Sequence, residues 1–118
     1  MNKSAQYNGA TITVRPATVG DRLDAVELYN LYSEDIPSIK TREWQLLYHI
    51  VGLIVRGTVE GQLAFELPSK DGLTRAALVE AMEAYEQAPE ALYDTLTRLL
   101  ETEDAPNEDA LTPSPKKG

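Results

Sequence analysis

Residues 11–21, TITVRPATVGD, change from a strand pattern to a helix start, and this change decides the fold. Residues 11–14 are all β-branched and alternate between polar and apolar side chains, so they predict a strand. Pro16 has no amide proton and closes that strand. Thr18 is a suitable helix N-cap, and Asp21 adds negative charge at the positive end of the helix dipole. The stretch therefore predicts a strand followed directly by an amphipathic helix.

The segment before this stretch predicts the other half of a β-hairpin. Asn8-Gly9 supplies two residues that can adopt the positive φ angles of a type I′ turn. Residues 3–7 can then pair back on the strand at 11–15. Ile12 and Val14 are expected to face the core.

The rest of the pattern is helical. Apolar spacing and cap residues predict four helices, over about 19–33, 41–56, 73–87 and 89–102. In the first helix, Leu23 and Val26, with the neighbouring Leu28 and Tyr29, are expected to form the core face. The second helix is apolar nearly all round, so it is either central to the core or shared with a partner.

Two details of this region stay open in the sequence. Residues 62–67 alternate and fit either a short strand or a loop. Ser69 or Asp71 is the expected N-cap of the third helix. Gly57 is expected to end the second helix in the position that favours glycine.

The predicted fold class is α+β, mainly α, with a small N-terminal β-hairpin. Residues 1–102 are expected to form one small domain, as the total length of 118 residues suggests. Residues 103–118 are acidic and then proline-rich, with almost nothing to bury, so they predict a disordered tail.

Composition restricts the function. Asp and Glu outnumber Lys and Arg by 19 to 11, and the resulting net charge of −8 disfavours binding to nucleic acid. The absence of cysteine excludes disulfides and thiolate metal sites. No signal peptide and no membrane-spanning run are expected, and a cytoplasmic location is the prediction.

The search for catalytic motifs favours a protein that is not an enzyme. His49 is the single histidine and lies in an apolar helix, which is typical of a structural or interface residue. No phosphate-binding glycine loop, serine-nucleophile motif or calcium loop is present. We therefore expect no cofactor and no metal. Glu80, Glu83 and Glu86 predict a solvated stripe or a docking surface for a basic partner.

Aromatic residues cluster in the first two helices and are the candidates for partner binding. Aromatic side chains are enriched at protein interfaces, although they also fill the cores of small domains. The candidate contact residues are Tyr29, Tyr32, Trp44, Tyr48 and Val51.

The order of these features resembles the small tail assembly chaperones of long-tailed bacteriophages. The similar signature is a strand, then Arg15-Pro16-x-Thr18-x-x-Asp21, then a helix, and it covers about the first third of the chain. The remainder is similar in size, acidity and helix content.

The resemblance implies a concrete role. Such chaperones bind the hydrophobic, helical tape measure protein and keep it soluble until tail tube subunits polymerise around it, in the host cytoplasm. Many are also made in a longer form by ribosomal frameshifting near the end of the gene. Lys116-Lys117 can be encoded by a run of adenines, which is a slippery sequence.

Other functions remain alternatives. The chain could be a structural minor tail or head–tail connector protein, which would be present in purified particles. It could also be an acidic inhibitor that imitates nucleic acid, although part of the acidity lies in the tail. The sequence leaves open whether the chain also forms a homo-oligomer.

Overall fold

A computed structural model of the chain describes residues 2–34 and 40–100. In this part of the chain the elements are β1 (Lys3–Tyr7), β2 (Ala10–Val14), α1 (Val19–Ser33), α2 (Thr41–Arg56), β3 (Gly57–Glu60), α3 (Arg75–Glu86) and α4 (Glu90–Leu100). The predicted class, mainly α with a small N-terminal sheet, is confirmed. The tail predicted over 103–118 lies outside the described residues.

The predicted β-hairpin forms, with its turn at Asn8-Gly9 as expected. β1 and β2 pair antiparallel, with Tyr7 opposite Ala10 at the turn. Asn8 and Gly9 have φ angles of 49° and 84°, as the two-residue turn requires. Ile12 is fully buried, so the alternation of β2 points into the core as predicted.

A third strand, β3, was not predicted. It follows α2 without a loop and pairs antiparallel with β2, giving the sheet order β1-β2-β3. Gly57 has an extended backbone with φ −97°, so it begins the strand instead of forming a left-handed helix end. A Cβ on Gly57 would lie 2.9 Å from the Leu53 carbonyl oxygen, which explains the glycine. Residues 62–67 form no strand, which resolves their ambiguous pattern as a loop.

Three elements are joined at the start of α1 by a set of polar contacts that we call the Arg15 latch. Thr18 and Asp21 cap the helix reciprocally: the Asp21 amide donates to Thr18 Oγ1, and the Thr18 amide donates to the Asp21 carboxylate. Arg15 donates to both Asp21 oxygens, at 2.5 and 2.9 Å, and to the Val55 carbonyl at 3.2 Å. Arg56 donates to the Arg15 carbonyl at 2.7 Å. The latch therefore ties β2 to the first turn of α1 and the last turn of α2.

The latch sets the rotation of α1, and the predicted core face of this helix is wrong at Leu23 and Val26, whereas Leu28 is buried as expected. Asp21, Leu28 and Tyr32 are the buried residues of α1. Leu23 and Val26 were expected to be buried but are 61% and 50% exposed. Because Asp21 is held inward by Arg15, the residues seven and eleven positions later also face inward, and Leu23 and Val26 turn outward.

Helix α2 is central to the core, in agreement with its all-round apolar pattern. Leu47, Ile50 and Leu53 are fully buried, and α2 packs against α1, α3, α4 and β3. α4 also packs against β1. The N-cap of α3 is Thr74, whose hydroxyl accepts from the Ala77 amide, so the expected cap at Ser69 or Asp71 is wrong.

Candidate partner-binding surface

Helices α1 and α2 pack side by side and leave an apolar groove between them, which we call the α1/α2 groove. Its volume is about 240 Å³. The apolar residues lining it are Ala17, Ala25, Val26, Tyr29, Tyr48, Val51, Gly52 and Val55. Asp21, Arg22 and Arg56 supply its polar edge at the end nearest the Arg15 latch. A concave apolar surface with a few polar groups at its edge is typical of a binding site.

An aromatic pair stands beside this groove. The rings of Tyr29 and Trp44 meet edge to face, with centroids 5.5 Å apart and an interplanar angle of 76°. Such a pair is favourable because the positive edge of one ring faces the negative face of the other. Trp44 is nevertheless 41% exposed, so a large apolar surface remains accessible to solvent. Burial raises the pKa of the Tyr29 hydroxyl above its ordinary value.

Tyr48 and Val51 lie deeper in the groove. Val51 is 1% exposed and forms part of its floor. Tyr48 is half-buried, and its hydroxyl donates to the carbonyl of Leu100 at 3.0 Å. The end of α4 is thereby fastened to α2 next to the groove. Four of the five candidate residues, Tyr29, Trp44, Tyr48 and Val51, thus belong to one region.

Tyr32, the fifth candidate, lies elsewhere. It is 7% exposed and does not line the groove. The Arg75 guanidinium lies 5.9 Å from the centroid of its ring, and Arg75 Nε donates to the Tyr32 carbonyl at 2.9 Å. Burial raises the pKa of the Tyr32 hydroxyl. Tyr32 therefore connects α1 to α3 as a core residue.

An ion pair between Arg15 and Asp21 lies at the polar end of the groove. The hydrogen bonds from Arg15 hold the pKa of Asp21 at about 2, against a partial desolvation that acts in the opposite direction. The pKa of Arg15 is raised, chiefly by the same hydrogen bonds. The pair therefore keeps its charges at neutral pH. It provides a rigid boundary to the groove.

Comparisons with known proteins give no relative. No protein-family model, curated protein or solved structure matches this chain. The resemblance to tail assembly chaperones therefore stays a prediction, and the surface itself carries the argument on function.

Sequence reasoning missed the exposed face of α1. Val19, Leu23 and Val26 are 75%, 61% and 50% exposed and lie along one side of the helix. Their spacing of four and then three residues was visible in the sequence. Leu23 and Val26 were expected in the core because a core face has the same periodicity. The inward position of Asp21, which Arg15 holds, distinguishes the buried face of α1 from the exposed one.

His49 belongs to the core. It is fully buried, and its Nδ1 lies 2.7 Å from the Tyr85 hydroxyl. The Tyr93 ring packs against it at a centroid distance of 4.9 Å. Within residues 2–34 and 40–100, no three His, Asp or Glu side chains are grouped so that they could hold a metal ion. No helix in these ranges is long and apolar enough to cross a membrane.

Proposed function

We propose that this chain is an assembly chaperone that holds an apolar helical segment of another protein in the α1/α2 groove. The observation that carries the proposal is the groove itself, with the exposed Trp44 beside it. An amphipathic helix can lay apolar side chains, spaced three and four residues apart, into a groove of this kind. No catalytic role is assigned to any residue.

The chemistry of the surface agrees with this role. A holding chaperone needs accessible apolar surface for its client and a high net charge to stay soluble. Val26 of α1 and Val55 of α2 both contribute to the apolar wall of the groove. The net charge of −8 supplies the solubility and favours a client with basic residues beside its apolar face.

The client in this proposal is the tape measure protein of a long-tailed bacteriophage, with the tail tube subunit as a second partner and the host cytoplasm as the location. The resemblance of residues 15–21 to tail assembly chaperones supports this identity. The Arg15 latch also gives Arg15, Thr18 and Asp21 a structural reason to occur together. The motif therefore supports a shared local fold more directly than a shared client.

Trp44 provides the test, because it is the single tryptophan of the chain and stands beside the groove. We expect titration with synthetic amphipathic helical peptides from tape measure proteins to shift its fluorescence to shorter wavelength as the indole leaves water. The substitution Val26→Asp places a charge in the groove at a half-exposed position, so the fold tolerates it. It should weaken peptide binding roughly tenfold or more, since a buried unpaired charge is costly.

Ala76→Asp is the matched control, because Ala76 is exposed on α3 and does not line the groove. It adds the same charge and should leave the affinity unchanged. Equal weakening by both variants would show a general charge effect and contradict a groove-specific site. Detection of the chain in purified phage particles would instead favour the structural tail or connector alternative.

A further inference from the structure

The exposed side of α1 has the pattern of a coiled-coil seam. Val19, Leu23, Val26 and Asn30 follow one another at spacings of four, three and four residues. The three apolar members are the most exposed large hydrophobic residues of α1, and Asn30 is exposed as well. We call these four residues the α1 seam. They lie on the face opposite the buried residues of the helix.

The spacing fixes the heptad positions. A step of four leads from d to a and a step of three from a to d, so Val19 and Val26 are d positions, and Leu23 and Asn30 are a positions. Arg22 then occupies a g position and Glu27 the following e position. In a parallel coiled coil these two positions, five residues apart, face each other across the two chains. Arg22 of one chain would meet Glu27 of the other twice in a symmetric pair.

We propose that the α1 seam binds a second copy of this chain, with the two α1 helices parallel. Charge complementarity selects this occupant and this direction. In an antiparallel pair, the g flank of one helix faces the g flank of the other, so Arg22 would lie near Arg22 and Glu27 near Glu27. Only the parallel arrangement turns both flanks into opposite-charge contacts.

Asn30 supports the same register. An asparagine at one a position of a parallel coiled coil meets the same residue of the partner and specifies register and two strands, at some cost in stability. A leucine at a with valine at d would by itself also suit larger assemblies, and Asn30 opposes them. The seam spans fewer than two full heptads, so we expect a weak, concentration-dependent dimer.

A charge swap tests the pairing. We expect Arg22→Glu and Glu27→Arg to weaken the dimer by about tenfold each, because each turns two attractive contacts into two repulsive ones. The double variant Arg22→Glu/Glu27→Arg should restore association to near the wild-type level. Sedimentation equilibrium over a concentration series measures all four proteins. Loss of association in the double variant as well would overturn the assigned pairing.

Cross-linking tests the direction. The chain has no cysteine, so Leu23→Cys introduces a single thiol at an exposed position that faces its own copy only in a parallel pair. We expect a disulfide-linked dimer on mild oxidation. Ala76→Cys on α3 is the control and should not cross-link.

Two outcomes would overturn the proposal. One is a wild-type protein that stays monomeric at every concentration. In that case, a Trp44 titration of Val19→Asp would show whether a client covers the seam instead. Val19 is suitable because it belongs to the seam and does not line the groove. The other is a mass of three or four chains, which contradicts a pair. Neither result contradicts the proposed function, because the Trp44 titration tests client binding separately from self-association.

Discussion

At the scale of single residues, Asp21 is the side chain on which most of the local architecture depends. It caps α1, it accepts two hydrogen bonds from Arg15, and through Arg15 it is linked to the last turn of α2. These contacts stabilise only the ionised carboxylate. The pKa of Asp21 is therefore lower in the folded chain, at about 2, than the ordinary value of 3.8 that applies to the unfolded chain.

This difference makes the stability of the fold depend on pH. Because the folded pKa is the lower one, the stabilisation is fully present above about pH 4 and is lost as the pH falls toward 2. Arg15 is partly exposed, so solvent screens the pair and we expect a contribution of about 1 kcal/mol. Urea unfolding of the wild type and of Asp21→Asn, at several pH values, measures it. The difference in unfolding free energy should be largest near neutral pH and shrink toward zero near pH 2. A difference independent of pH would contradict this account.

The same residue shows what the sequence could and could not predict. Thr18 and Asp21 gave the start of α1 correctly, because capping depends only on neighbours in the chain. The rotation of α1 was predicted wrongly, because it depends on Arg15 reaching Asp21 across the strand-to-helix turn. Leu23 is equally apolar in either rotation. A tertiary contact, and not local pattern, decides which side of α1 meets the core.

At the scale of elements, the direct transition from α2 to β3 is the feature that the pattern could not reveal. β3 has four residues and follows the helix without a turn, so neither its length nor its flanks mark it as a strand. It forms because β2 offers an edge for pairing. The helices, by contrast, were predicted within a few residues of their ends, since their apolar spacing extends over three or four turns.

Gly57 allows this transition, and its replacement should weaken the fold. In Gly57→Ala the new Cβ would lie 2.9 Å from the Leu53 carbonyl oxygen and Cδ2, so the strand or the end of α2 must shift. We expect a loss of about 1–3 kcal/mol in unfolding free energy, which is typical of overpacking. Urea unfolding followed by circular dichroism measures it.

Gly20→Ala is the matched control, because a Cβ there would meet only Thr18 Oγ1, at 3.8 Å, and α1 should lose nothing. Equal losses in both variants would contradict the account based on close packing at Gly57.

At the scale of the whole molecule, the aromatic candidates divide into two groups. On α2, Trp44 meets Tyr29 of α1 edge to face, and Tyr48 lines the same groove as Tyr29. Tyr32 is directed into the core beside Arg75. The sequence could place these residues near one another, because they lie on consecutive helices. It could not separate surface from core, since that depends on where α3 covers α1.

The two proposed surfaces share a border, and this has a consequence for the molecule as a whole. Val26 and Arg22 line the groove and also belong to the α1 seam or its flank. A client that contacts them and a second copy that contacts them cannot both do so fully. Provided that both proposals hold, client binding and self-association should therefore oppose each other, each weakening the other by the same factor.

We expect a saturating client peptide to lower the mean mass, measured by light scattering, from two chains toward one chain with one peptide. Ala76→Asp should behave as the wild type. A stable complex of two chains and two peptides would mean instead that the client occupies only the part of the groove nearer α2, leaving Val26 to the dimer.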